Sequence, residues 1–114
     1  MGYHEIFPLS RPDLNRLLDS GNEQAIYEAL LSASFYDPDW ESVQNRSLFF
    51  LDHPDRDVRR VAATCLGHVA RVHKKLDTEV VLPRLYEARN EPSIAGEVED
   101  AIEDIRLFIR LPIQ

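Results

Sequence analysis

Residues 52–75 read DHPDRDVRRVAATCLGHVARVHKK, an aspartate-rich turn broken by Pro54 and followed by apolar residues at Val58, Val61, Ala62, Cys65, Leu66, Val69 and Val72. Intervals of three and four residues place these side chains on one side of an α-helix and fit no strand. The pattern recurs: moving 36 residues along carries Val58 to Ile94, Ala62 to Val98, Cys65 to Ala101, Leu66 to Ile102, Val69 to Ile105 and Val72 to Phe108. Each of these six apolar positions lands on another. Moving 37 residues carries Val43 to Val80 and Leu48 to Leu85, the odd residue being absorbed in a shorter turn. A repeat of this length marks stacked helical hairpins, none of which can bury its apolar face alone.

Within the quoted stretch, Val58, Arg59, Ala62, Ala63, Leu66 and Gly67 form a V-R-x-x-A-A-x-x-L-G string that resembles the second helix of a HEAT-type repeat. The resemblance implies that Ala63 and Gly67 let neighbouring helices approach closely, and that Arg59 ties down the turn through Asp55 or Asp57. Val81-Leu82-Pro83-Arg84-Leu85 resembles the L-P-x-L of a HEAT first helix, whereas Ala95 stands where Arg59 stood, so the later copy lacks the tie. The expected fold is all-α: one domain over 1–114, with about six helices in three antiparallel hairpins at roughly 10–35, 38–73 and 77–109.

Cap residues mark the helix ends. Ser10 opens the first helix, with Pro12 and Asp13 in its first turn and Leu14, Leu17 and Leu18 inward; Gly21 closes it. Ser20 or Asn22 starts a second helix facing inward with Ile26, Ala29, Leu30 and Ala33. Asp37 is the expected cap of the third, with Pro38 at its first position. That helix runs to about Asp52, with Trp40, Val43, Ser47, Phe50 and Leu51 on one face, while Phe49 points elsewhere, packed on a neighbouring repeat or exposed. The fourth ends near His73-Lys74-Lys75, where cations suit the helix dipole. Asp77 or Thr78 caps the fifth, which Pro83 kinks or delays, and Ser93 caps a sixth reaching about Ile109. Residues 1–9 read as an arm laid on the first hairpin, and Pro112 closes the chain.

Composition excludes several functions. No run is apolar enough to span a bilayer and the N-terminus lacks a signal-peptide pattern, so a cytoplasmic location is expected. Cys65, the sole cysteine, reads as a small buried hydrophobe. His68 and His73 are five residues apart, off the spacing that puts two ligands on one helical face, and His4 and His53 add no metal pattern. No phosphate loop, nucleophile elbow or Cys-His signature is present, so neither enzyme activity nor a cofactor is expected.

Formal net charge is −7, unevenly spread: residues 1–55 carry −7, 56–75 carry +5 and 76–114 carry −5. Of the central cations, Arg59, Lys74 and Lys75 are explained by the turn tie and the helix end. Arg56, Arg60 and Arg71 remain, few for phosphate binding on an acidic chain. On the fourth helix Arg60, Thr64, Gly67, His68 and Arg71 are expected to face away from the core; 36 residues on stand Gly96, Asp100, Glu103, Asp104 and Leu107. Bordered by Glu97 and Glu99, this gives an acidic face, with Tyr36, Asp37, Asp39 and Trp40 as a second contact. Such a face suits a basic protein partner.

A short acidic helical chain of this kind resembles the HEAT-like immunity proteins of bacterial toxin systems, including contact-dependent growth inhibition. The resemblance implies a cytoplasmic protein that neutralises one cognate toxin, often a nuclease, by covering its basic active-site or substrate surface. The candidate contacts are Tyr36, Asp37, Asp39, Trp40, Arg60, His68, Glu97, Asp100, Glu103 and Asp104. A HEAT-like adaptor between cellular proteins and a nucleic-acid-binding repeat module remain the alternatives.

Overall fold

A computed structural model describes residues 6–110. These residues form six helices: α1 (Arg11–Leu18), α2 (Glu23–Tyr36), α3 (Trp40–Phe50), α4 (Arg56–His73), α5 (Thr78–Ala88) and α6 (Ala95–Phe108). Successive helices pair as α1–α2, α3–α4 and α5–α6, and the second members pack on one another as α2–α4 and α4–α6. The molecule is therefore a two-layer stack with α4 at its centre, touching α2, α3 and α6.

The repeated column accounts for the core. Val58, Ala62, Cys65, Leu66 and Val69 are buried, and so are Ile94, Val98, Ala101, Ile102 and Ile105. The final pair departs from the pattern, because Val72 is exposed and Phe108 half-buried beneath the Lys74 ammonium, 5.2 Å from the ring centroid. Lys74 ends α4 in the left-handed region (φ 54°), and the chain turns away before Val72 can be covered. In the first helices the register is also corrected. Val80 is exposed, and the buried pair Val81 and Leu85 matches Val43 and Ser47, a shift of 38 residues. A buried serine occupies the place of a leucine, which an apolar count cannot register.

Helix starts follow side-chain caps where the turn leaves them available. Ser10 accepts from Asp13 N at 3.2 Å, Asn22 from Ala25 N at 2.8 Å and Asp55 from Val58 N at 3.0 Å. The cap of α3 is Asp39 and not Asp37: Asp39 accepts from Ser42 N, whereas Asp37 accepts from Asp39 N and pairs with Arg11. Pro38 consequently lies in the turn. At α6 the cap position is Ile94, buried in the core, while the Ser93 hydroxyl donates to Glu91. Asp77 occupies the cap position of α5 without bonding a backbone N–H, and α5 begins ahead of Pro83, which does not delay it.

Two further expectations are refined. Arg59 does tie down the turn, but through the backbone: its Nη1 donates to the carbonyls of His53 and Pro54 at 2.9 and 2.8 Å, and its Nη2 to Glu91. The aspartates are otherwise engaged, Asp55 as the cap. Phe49 is 73% exposed and packs on no neighbouring hairpin. Arg84 donates to Leu48 O and Asp52 nearby, and the Phe49 ring stands edge-on to Phe50. Residues 6 and 7 of the arm do lie on the first hairpin, accepting from Tyr36 Oη and Ser32 Oγ. His4 and Pro112 lie outside the described residues.

Gly67 sets the α4–α6 spacing. A Cβ there would stand 3.1 Å from Ala101 Cα and 2.9 Å from Asp104 Oδ2, and the first of these is backbone that cannot swing aside. The neighbouring Ala63 is fully buried as well. At Gly96 a Cβ would meet nothing within 4 Å. Gly67→Ala should therefore cost about 1–2 kcal/mol in urea denaturation, since overpacking outweighs the gain in helix propensity. Gly96→Ala should be neutral or stabilising, by at most about 1 kcal/mol.

Candidate functional site

Three helices present one open layer, and its rungs run across them. Tyr27, Arg60 and Glu97 form the first, with Arg60 Nε and Nη2 donating to Glu97 Oε2 at 3.0 and 2.8 Å. Leu31 and Thr64 follow one turn along, and Phe35 then stacks on His68 with ring centroids 4.8 Å apart. Arg71 closes the series, donating to Asp104 Oδ2 at 3.2 Å. The layer thus grades from aromatic and apolar on α2, through basic on α4, to acidic on α6.

Gly67, expected on this surface, is buried against α6. Its absence from the face follows from the close packing it permits. Arg60, Thr64, His68 and Arg71 do face outward to different degrees.

The pairing decides how the charges behave. Arg60 and Glu97 reinforce one another: their hydrogen bond first, and then their mutual attraction, raise the Arg60 pKa, and the same bond holds the Glu97 carboxyl below its ordinary value. Asp104 is half-buried against Arg71. Asp100 and Glu103 are exposed and make no ion pair among the described residues. Of the five α6 carboxylates expected at the acidic face, Glu97, Asp104 and Glu99 are paired, the last with Arg89 at 3.5 Å, and Asp100 and Glu103 remain open to a partner.

The second expected contact is divided. Asp37 has a side chain only 8% exposed and is committed to Arg11, joining α1 to the α2–α3 turn. Trp40 is half-buried against the core. Asp39 serves as the α3 cap, and Tyr36 is exposed beside Phe35. Tyr36 turns toward the α1 side, donating to Ile6 O and lying beside Pro8 and Arg11, so these four residues do not join the α2–α4–α6 layer.

Tyr27, Leu31 and Phe35 were not singled out by the sequence. Their four-residue spacing on α2 was the available signal, a second stripe beside the core stripe of Ile26, Ala29, Leu30 and Ala33.

His68 and Cys65 are shielded groups. Ser34 Oγ lies 2.9 Å from Leu31 O and 3.1 Å from His68 Nδ1, and the direction of the second hydrogen bond follows the imidazole tautomer. Burial, followed by the nearby Arg71 charge, lowers the His68 pKa to about 4. Burial pushes the Cys65 thiol up to about 12, and its Sγ donates to Leu30 O. No described helix is long and apolar enough to cross a membrane.

Six helices in two layers, one layer open across three helices, define a small all-α protein of stacked helical pairs. No family model matches the sequence, and no curated protein matches it. The chain is similar to a component of the crystal structure of a CDI complex from Cupriavidus taiwanensis LMG 19424, with 32% sequence identity and a TM-score of 0.84. The match covers 95% of this chain and 97% of that one. The chain belongs to the family of that component and resembles the small immunity proteins of such systems.

The low His68 pKa has a testable sign. Between about 4 and 6.5 the unfolded histidine binds a proton that the folded one excludes, so stability falls as pH drops through that window. The ring should titrate near 4 by NMR, and His68→Gln should show a shallower loss of stability from pH 6.5 to 4 than the parent.

Proposed function

We propose that this chain is a cytoplasmic immunity protein built as a HEAT-like stack, which neutralises a cognate toxin of contact-dependent growth inhibition. It acts by binding and not by catalysis. Its partner is a basic toxin domain, a nuclease, whose active-site or substrate surface is covered by the α2–α4–α6 layer. The observation that carries this reading is the pair of exposed α6 carboxylates, Asp100 and Glu103, standing unpaired beside a rigid ladder in which Arg60 and Arg71 already hold Glu97 and Asp104. Similarity to a component of a CDI complex supplies the kind of partner.

The ladder also weighs against a nucleic-acid role. Two of the three arginines available for phosphates, Arg60 and Arg71, are satisfied by carboxylates of α6. A polyanion would have to break both pairs and would meet Asp100 and Glu103 next to them. A basic protein surface meets the carboxylates directly, with charge setting the association rate and apolar groups on α2 setting the dissociation rate.

Co-expression with the toxin domain encoded beside the gene tests the proposal. The parent chain should restore growth, and the double reversal Asp100→Lys with Glu103→Lys should weaken the complex by about tenfold or more. Glu79→Lys, on the exposed side of α5, should leave protection unchanged. Failure of the parent chain to protect against any neighbouring toxin would contradict the immunity role.

A further inference from the structure

The open layer is not uniform, and a concavity lies at its first rung. A groove of about 580 Å³ opens between the start of α2 and the start of α4, closed on the far side by Glu97 of α6. Its lining combines apolar groups, Tyr27 (36% exposed), Leu31 and Val61, with the carboxylates of Glu23, Asp55, Asp57 and Glu97.

Resting on the immunity reading, we infer that this groove is the anchor point of the complex and receives an arginine from the basic partner. The fit is one of shape and polarity together. An arginine is a long apolar stem ending in a planar cation. Laid in the groove, its stem covers Leu31 and Val61, its guanidinium faces the Tyr27 ring, and its N–H groups reach the carboxylates of Asp57 and Glu97.

The groove's own cation does not fill this role. Arg60 reaches Glu97 at 2.8 Å and Asp57 at 3.4 Å, which leaves each carboxylate a second oxygen and fixes both side chains in place. Holding the acceptors rigid before binding lowers the ordering cost that a mobile acidic patch would incur. Arg60 is thus a positioning residue, and the incoming arginine is bound by Tyr27, Asp57 and Glu97. Asp100 and Glu103 lie outside the groove and contribute to approach, so the two sets should separate kinetically.

A hexa-arginine peptide is the direct probe. Titrated into isotopically labelled protein at low ionic strength, it should shift the NMR signals of Tyr27, Thr64 and Glu97 most. Tyr27→Ala combined with Asp57→Asn, both at exposed positions, should weaken its binding by about tenfold, and hexa-lysine should bind the parent more weakly than hexa-arginine. Shifts centred on Asp100 and Glu103 with none at Tyr27, or no binding, would overturn the groove assignment. With the toxin domain itself, the same double variant should raise the dissociation rate while charge reversal at Asp100 and Glu103 lowers the association rate. Full protection by the Tyr27 and Asp57 variant would overturn the groove alone, whereas no protection by the parent would overturn the immunity reading on which it rests.

Discussion

The contact of α4 with α6 at Gly67 is the constraint on which the rest of the structure depends. The helices approach so closely that a single added carbon at Gly67 would meet the backbone of Ala101. That approach buries the apolar column from Val58 to Val69 against its counterpart from Ile94 to Ile105. It also brings the flanking polar positions within reach of one another, so Arg60 meets Glu97 and Arg71 meets Asp104 across the same seam. A larger residue at position 67 would lengthen both pairs along with the apolar contact. Core and surface electrostatics are therefore set by one backbone distance.

How far the sequence reveals this architecture depends on the residue type. Apolar recurrence at 36 residues located α4 and α6 and nearly every core position on them, because burial without a partner's geometry already favours hydrophobes there. It failed at Val72 and Phe108, where the left-handed turn at Lys74 removes the cover. It slipped by one residue in the first helices, because Ser47 occupies a core site that an apolar count skips. Caps were legible at Ser10 and, as one of two candidates, at Asn22; Asp55 was expected to hold Arg59 and instead caps α4, and the caps of α3 and α6 were misplaced, where Arg11 and Glu91 draw Asp37 and Ser93 into other bonds.

The open face was less legible. Acidic residues on α6 and arginines on α4 could be counted, but their pairing spans 37 and 33 residues and has no local signature. Once paired, Glu97 and Asp104 are parts of the scaffold as much as of the surface, and the α6 carboxylates left without a partner of their own narrow to Asp100 and Glu103. The aromatic edge formed by Tyr27 and Phe35 escaped notice because each neighbours a core residue in sequence, and only the packing of α2 on α4 shows which of two adjacent stripes faces solvent.

A functional division of the two layers follows. One layer, α1, α3 and α5, closes the core from behind, while α2, α4 and α6 place aromatic, basic and acidic strips side by side. The most direct test is a hydrogen-exchange footprint of the chain bound to the toxin domain encoded beside its gene. The account predicts added protection over α2 and α6, at residues 27–36 and 97–107, with α3 and α5 exchanging as in the unbound chain. Protection confined to α3 and α5, with α2, α4 and α6 unchanged, would contradict it.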